Sequence, residues 1–255
     1  MIIFDDELIK FRHIQEASLL NRATIIKDFL RTNGVTEIVG LLFEIIKNHQ
    51  LLDNKLVKNS IKVISRLIDW NLLNIFTECV NYITSILIPS RILLSESLDV
   101  LYCIIHKGMD APQKVEVIKY LNINQILDSI LRPNNQNENG FNIKKIDESL
   151  FFKICEIVAN LGMFGNASYD SFKNIIFAAG VTKISEEQQE FYKFINELTN
   201  YSIYHCISII NISRKYDQKS FYEISDFLSN LISFLKNNEF IIDLLVKLCF
   251  FPNKN

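Results

Sequence analysis

The sequence predicts an all-α fold, because the chain is rich in apolar residues and poor in residues that make turns. Hydrophobic residues form 49% of its 255 residues, which is ample for a buried core and too apolar for a disordered chain. Only 7 glycines and 4 prolines are present, whereas a sheet-rich fold needs many tight turns. Apolar residues also recur every three or four positions, as they do on one face of an amphipathic helix.

Two helices near the start of the chain show this spacing most clearly. One is predicted from Val35 to His49, and the next from Asp53 to Trp70, each with a continuous apolar stripe. Further helices are predicted, in chain order, at 71–87, 91–107, 113–131, 146–161, 185–200, 202–213, 222–235 and 240–250.

The connectors between these helices are short, so neighbouring helices should be antiparallel pairs. A single pair cannot bury its apolar face, and pairs therefore stack into an α-α superhelix. The spacing of the pairs is close to the roughly 40–47 residues of HEAT and armadillo repeats. We therefore predict one HEAT-like solenoid over residues 1–255, with a flexible Asn-rich loop at 132–140. A compact helical bundle is the alternative.

The stretch from Lys107 to Gln113 reads as a corner between two helices. Gly108 is predicted to end the first helix in the left-handed conformation that glycine adopts without steric cost. Asp110 is predicted to cap the next helix with its carboxylate, and Pro112 fits that helix's first turn.

Charge and cysteine usage suggest an intracellular protein without a strongly charged half. The net charge is -2, and acidic and basic residues are spread evenly. The five cysteines stand singly, without the spacing of a disulfide framework. The longest uncharged run, Leu198 to Ser213, is too short to span a membrane, so no membrane insertion is expected.

No motif in the sequence points to catalysis. Cys103 and His106 share a helix face but lack further metal ligands, and His205–Cys206 would point to different faces. Gly162 and Gly165 lack the lysine and the preceding strand of a phosphate loop. We therefore expect no enzyme activity, no catalytic residue, no metal site and no cofactor. A helical enzyme built on the two Cys/His pairs is the weakest alternative.

One helix carries a row of basic residues opposite its apolar stripe. The row consists of Lys55, Lys58, Lys62 and Arg66, with no acidic residue before Asp69. Such a row can lie along a phosphate backbone, so these four residues are candidates for RNA binding. An ordinary solvated face in a lysine-rich sequence is the alternative.

Three segments in the same order resemble the exportin-T family of tRNA export receptors, in the importin-β/karyopherin superfamily. Asn21–Ile46 resembles that family's Arg-Asn-x-x-Ile-Lys-Asp-x-Met-Arg helix and the helix after it. Val63–Leu73 is similar to its Ser-Trp-Ile-Asp corner, although Leu67 replaces the tryptophan and Trp70 follows the aspartate. Lys107–Leu121 is similar to its Lys-Gly/Arg-Met-Asp-x-x-x-Lys stretch, and Phe152–Met163 gives a weaker match.

The resemblance covers an internal portion of that family and implies HEAT repeats and nuclear transport. It implies a nuclear export receptor, or a fragment of one, that binds tRNA cooperatively with Ran-GTP and carries it through the nuclear pore. Its partners would be tRNA, Ran-GTP and nuclear pore components, and it would shuttle between nucleus and cytoplasm. The matched motifs transfer no RNA- or Ran-contacting residue. The alternative function is a HEAT-repeat scaffold that binds a protein partner without RNA.

Overall fold

The all-α prediction is confirmed by a computed structural model of the chain, which describes residues 17–131, 148–179 and 185–213. Every regular element within those ranges is helical. The chain divides into two compact units, Met1–Tyr82 and Ile83–Asn255. The predicted loop at 132–140 and the predicted helices at 222–235 and 240–250 lie outside the described residues, and the single solenoid stays a prediction.

The first unit is a run of helices joined by short connectors. Its elements are α1 (Ala17–Asn33), α2 (Val35–Lys47), α3 (Asn54–Trp70), a 3₁₀ turn (Leu73–Phe76) and α4 (Thr77–Tyr82). The start of α3 is fixed by Asp53, whose carboxylate accepts hydrogen bonds from the backbone N–H groups of Lys55 at 2.8 Å and Leu56 at 3.1 Å.

One face of α3 forms the centre of this unit. Val57, Ile61, Ile64 and Ile68 recur at helical spacing, and none of them is accessible to solvent. Burying each side chain contributes about 1.5–3 kcal/mol, so this face sets the rotation of α3 about its axis. The opposite face of the helix is thereby turned outward.

The end of α4 returns to the end of α2. The Tyr82 ring lies edge-on to the Phe43 ring, with 5.9 Å between centroids and 71° between planes. The Tyr82 hydroxyl also donates to the backbone carbonyl of Lys47 at 3.3 Å. These contacts hold α4 against α2.

The second unit begins with a π-helix and contains the longest helices. Its elements are the π-helix (Ile83–Leu87), α5 (Leu94–His106), α6 (Ala111–Tyr120), α7 (Ile123–Leu131), α8 (Glu148–Ala179) and α9 (Glu186–Ser213). α8 packs against both α5 and α9. The ammonium of Lys153 on α8 contacts two residues of α5, Asp99 Oδ1 at 2.6 Å and Ser95 Oγ at 3.0 Å. These contacts fix the position of α8 along α5.

Several predicted helix boundaries were wrong. The helix predicted at 71–87 is a succession of 3₁₀, α and π turns, and the one predicted at 113–131 is split at Leu121 and Asn122. Asn122 has φ 49°, and asparagine tolerates this left-handed conformation, so the split needs no glycine or proline. Conversely, α8 continues to Ala179, and α9 is unbroken where two helices were predicted.

The corner after α5 is built differently from the prediction. Its helix ends at His106, and Lys107 turns out of it with φ −56° and ψ 131°. Gly108 does not adopt a positive φ, so the predicted left-handed stop is wrong. Asp110 does occupy the N-cap position of α6, and Pro112 lies in its first turn, but the Asp110 side chain makes no capping hydrogen bond. An extended segment therefore makes this turn.

Part of α8 has the length and hydropathy of a membrane span. The segment Ser149–Tyr169 is 21 residues long and has a mean hydropathy of 1.2. Half of its most apolar stretch is buried inside the structure. Core helices that pack on several neighbours meet the same criterion.

Candidate nucleic-acid interface

The four basic residues predicted as RNA-binding lie on the outward face of α3. Lys55, Lys62 and Arg66 are exposed, and Lys58 is half-buried. At a rise of about 1.5 Å per residue, the row extends roughly 16 Å along the helix. A row of this length can contact several phosphates of a nucleic-acid backbone. The geometry therefore suits a row of backbone contacts.

Each end of this basic face lies near a carboxylate. At the start of α3, the Asp53 carboxylate caps the helix and offsets both the charge of nearby Lys55 and the partial positive charge of the helix N-terminus. At the other end, half-buried Asp69 lies one turn after Arg66 and offsets part of its charge. The charge of the basic face is therefore partly offset at both of its ends.

The end of α3 is capped by cations from α1. Arg31 Nε donates to the backbone carbonyl of Trp70 at 3.2 Å, and its guanidinium carbon lies 5.6 Å from the centre of the Trp70 ring. The Lys27 ammonium lies 5.9 Å from the same ring. Since α3 has no basic residue in its own last turn, Arg31 supplies the charge that complements its C-terminal dipole.

The Trp70 cluster, which consists of Lys27, Arg31 and Trp70, joins residues from two of the segments that resemble exportin-T. Lys27 and Arg31 belong to the segment Asn21–Ile46, and Trp70 belongs to Val63–Leu73. Their contact brings the C-terminal ends of α1 and α3 together. These matched residues hold the helices together.

A buried lysine plays the corresponding part in the third matched segment. Lys114 of α6 is 9% exposed, and its ammonium donates to the backbone carbonyl of Ile105 at 2.8 Å, near the end of α5. The ammonium also lies 5.0 Å from the centre of the Phe164 ring of α8. Burial lowers the pKa of Lys114, and the carbonyl and the ring partly compensate the buried charge.

The Cys/His pairs form no catalytic arrangement in the part of the chain that the structure describes. His106 is exposed and stacks on Tyr102, with 5.5 Å between ring centroids, while His205 is buried with Nε2 3.3 Å from Asp128 Oδ1. The Cys206 side chain lies outside the described residues. Burial raises the pKa of the Cys79 and Cys155 thiols to about 12, so both stay protonated near neutral pH.

No group of three potential metal ligands occurs among the described residues. Gly165 lies inside α8, at the contact with α9, and not in a phosphate-binding loop. The absence of enzyme activity stays a prediction.

The sequence is similar to exportins over the first unit and beyond. Residues 1–101 match the family described as Exportin 1-like protein. Exportin-T of Dictyostelium discoideum is 25% identical over 209 residues, which cover 80% of this chain and 18% of that protein. The resemblance to exportin-T is confirmed. Exportin-T of Homo sapiens is 23% identical over 123 residues, covering 48% of the chain and 13% of that protein. Exportin-T of Mus musculus is 26% identical over 125 residues.

The chain spans less than a fifth of the length of the exportin-T relatives that it matches. The basic face of α3 lies within residues 1–101, which match the exportin family. It also lies near the first two segments that resemble exportin-T, Asn21–Ile46 and Val63–Leu73. Sequence reasoning found this face but missed the Trp70 cluster and the buried Lys114. Lys27 and Arg31 are four residues apart, and Lys114 directly precedes an apolar position, but a single sequence does not show which helix end a cation reaches.

Proposed function

We propose that this chain acts in nuclear export of tRNA and binds the RNA along the basic face of α3. The similarity to exportin-T supports the transport role, and it includes the helix that carries Lys55, Lys58, Lys62 and Arg66. The observation that carries the RNA contact is the position of these four residues opposite the buried face of α3. A rigid helix then presents the charges at fixed spacing.

The chemistry of this contact is the neutralisation of phosphates. Each lysine or arginine that pairs with a phosphate releases condensed counterions, so binding weakens as salt rises. Structured RNA is recognised largely by its shape and its backbone, because its deep major groove is closed to side chains. A row of cations on one helix reads backbone position and carries little sequence specificity.

Ran-GTP is the partner that would couple binding to transport. Exportin-T resemblance implies that tRNA and Ran-GTP bind together, and thermodynamic linkage requires each to raise the other's affinity by the same factor. High Ran-GTP would then favour loading in the nucleus, and its loss would favour release in the cytoplasm. Nuclear pore components are the further partners that this cycle requires.

Salt dependence tests the RNA contact. With four phosphate contacts, log Kd for tRNA should change with log salt concentration by a slope of about 3, at roughly 0.7–0.9 per phosphate. The double change Lys55→Gln/Lys62→Gln should reduce that slope by about 1.5. These two lysines are exposed, so their replacement should leave the fold intact. Filter binding of labelled tRNA across salt concentrations from about 50 to 200 mM measures both slopes.

The matched control is Lys47→Gln/Lys193→Gln, which removes the same charge from exposed positions on α2 and α9. It should leave the slope near that of the unchanged protein. A slope equally affected by both pairs would mean that only net charge matters, and the basic face would be ordinary surface. No tRNA binding together with a stable complex with a protein partner would favour the scaffold function instead.

A further inference from the structure

An uncharged polar residue interrupts the basic face of α3. Asn59 is exposed and lies four residues after Lys55 and three residues before Lys62. Arg66 follows Lys62 after four more residues. Residues spaced by three and four positions lie on the same side of a helix, so Asn59 belongs to the same stripe as these cations. A strand that follows the basic face therefore passes over the Asn59 amide.

Asn59 lies near the middle of the basic face, between the carboxylates at its two ends. Along the helix axis, Asp53 is about 9 Å before it and Asp69 about 15 Å after it, at a rise of about 1.5 Å per residue. Lys55 and Lys62 are nearer, each about one helical turn from Asn59. A phosphate backbone that pairs with both lysines therefore crosses Asn59 between two of its phosphate contacts.

The side-chain amide of Asn59 forms no hydrogen bond with the residues that the structure describes. Four other asparagines in this part of the chain, within helices or at their ends, donate Nδ2 to the backbone carbonyl four residues earlier, at 2.8 to 2.9 Å: Asn33, Asn48, Asn71 and Asn160. Asn59 therefore differs from these asparagines. Its amide keeps two N–H donors and a carbonyl acceptor for a ligand.

An exposed apolar side chain lies beside this amide. Leu56 is 45% exposed and lies three residues before Asn59, a spacing at which side chains on a helix are neighbours. A ribose combines the same two properties, because it has apolar C–H groups and a 2′-hydroxyl that both donates and accepts hydrogen bonds. Leu56 and Asn59 together therefore match a sugar, whereas the lysines on either side match phosphates.

We propose that Asn59 hydrogen-bonds a ribose 2′-hydroxyl and makes the basic face selective for RNA over DNA. Each sugar of a strand joins two phosphates, so a side chain between two phosphate-binding lysines faces a sugar. Asn59 Oδ1 accepts the hydrogen bond of the 2′-hydroxyl, and Leu56 packs against the C–H groups of the ring. DNA lacks this hydroxyl and loses the contact. The inference rests on the proposed RNA contact of the same face and adds the sugar that it recognises.

The test compares tRNA with a DNA strand of the same sequence by filter binding to the full chain and to Asn59→Ala. The change should weaken tRNA binding about 2- to 10-fold, the usual contribution of one hydrogen bond, and leave DNA binding as it was. The slope of log Kd against log salt concentration should not change, because Asn59 carries no charge. Alanine forms helices better than asparagine, so the fold should remain intact.

The matched control is Asn54→Ala, which removes an exposed amide from the same helix about 140° around its axis from Asn59. It should bind tRNA and DNA as the unchanged protein does. Equal weakening of tRNA and DNA binding by Asn59→Ala, or no weakening of either, would overturn the sugar contact. The phosphate contact is tested separately, because it fails only if Lys55→Gln/Lys62→Gln leaves the salt slope unchanged.

Discussion

Replacing Trp70 with alanine is expected to lower the free energy of unfolding by about 3–5 kcal/mol. Trp70 is 8% exposed at the end of α3, and its ring lies beside the cationic groups of Lys27 and Arg31 from α1. The change removes a large buried side chain and leaves two cations without the ring. Domains are typically stable by only about 5–15 kcal/mol, so the loss should be a large share of the total.

The measurement is urea unfolding followed by far-ultraviolet circular dichroism, since Trp70 is the single tryptophan and its fluorescence is lost. The matched control is Leu72→Ala, two residues further on, where the side chain is 75% exposed. It should change stability by less than about 0.5 kcal/mol. If the two variants unfold at the same urea concentration, the Trp70 cluster does not join α1 to α3.

Changing Gly165 to alanine is expected to destabilise the protein by about 1–3 kcal/mol. Alanine normally stabilises the interior of a helix by about 0.5–1 kcal/mol relative to glycine. At Gly165, however, the added Cβ would collide with Thr199 Oγ1 of α9. The Thr199 hydroxyl is itself held by a hydrogen bond to the Ile195 carbonyl at 2.9 Å. The clash must therefore separate α8 from α9 or displace that hydroxyl.

A double-mutant cycle with Thr199→Ala isolates this contact. Without Oγ1, the nearest remaining atoms of residue 199 are 3.5 Å from the added Cβ, an ordinary van der Waals distance. Gly165→Ala should then be tolerated, with a coupling energy of about 1–3 kcal/mol. Gly40→Ala is the control, because nothing lies within 4 Å of its added Cβ, and it should be stabilising. Stabilisation by Gly165→Ala to the same extent would contradict the close packing of the two helices.

Periodicity predicted the helices that have one clear apolar face. α2 and α3 match their predicted spans closely, because Val57, Ile61, Ile64 and Ile68 repeat at the helical period and Asp53 provides a recognisable cap. The outward direction of the basic face follows from the same stripe. It was therefore predictable from the sequence, whereas its binding to RNA stays a proposal.

The boundaries that failed depend on contacts distant in sequence. The helix predicted at 146–161 continues through Gly162 and Gly165, and at Gly165 the absence of a side chain lets α8 pass close to Thr199 of α9. At Gly108, glycine is not used for a positive φ, because the corner turns through extended backbone at Lys107. A glycine therefore predicts either a turn or a close approach, and only the packing partner distinguishes them.

The structural roles of Arg31 and Lys114 were missed for a similar reason. In the sequence, Arg31 and Lys114 occupy positions typical of exposed polar residues. Each nevertheless donates to a backbone carbonyl near the end of another helix. Such pairings join residues 39 and 9 positions apart, so local periodicity does not contain them.

The most direct test of the export proposal is the affinity of tRNA for this chain with Ran-GTP and with Ran-GDP. We expect Ran-GTP to tighten tRNA binding by about 5- to 150-fold, the usual range of coupling between two sites, and tRNA to tighten Ran-GTP binding by the same factor. Ran-GDP should have no such effect. A tRNA dissociation constant that is the same with Ran-GTP, with Ran-GDP and without Ran would contradict the proposed role.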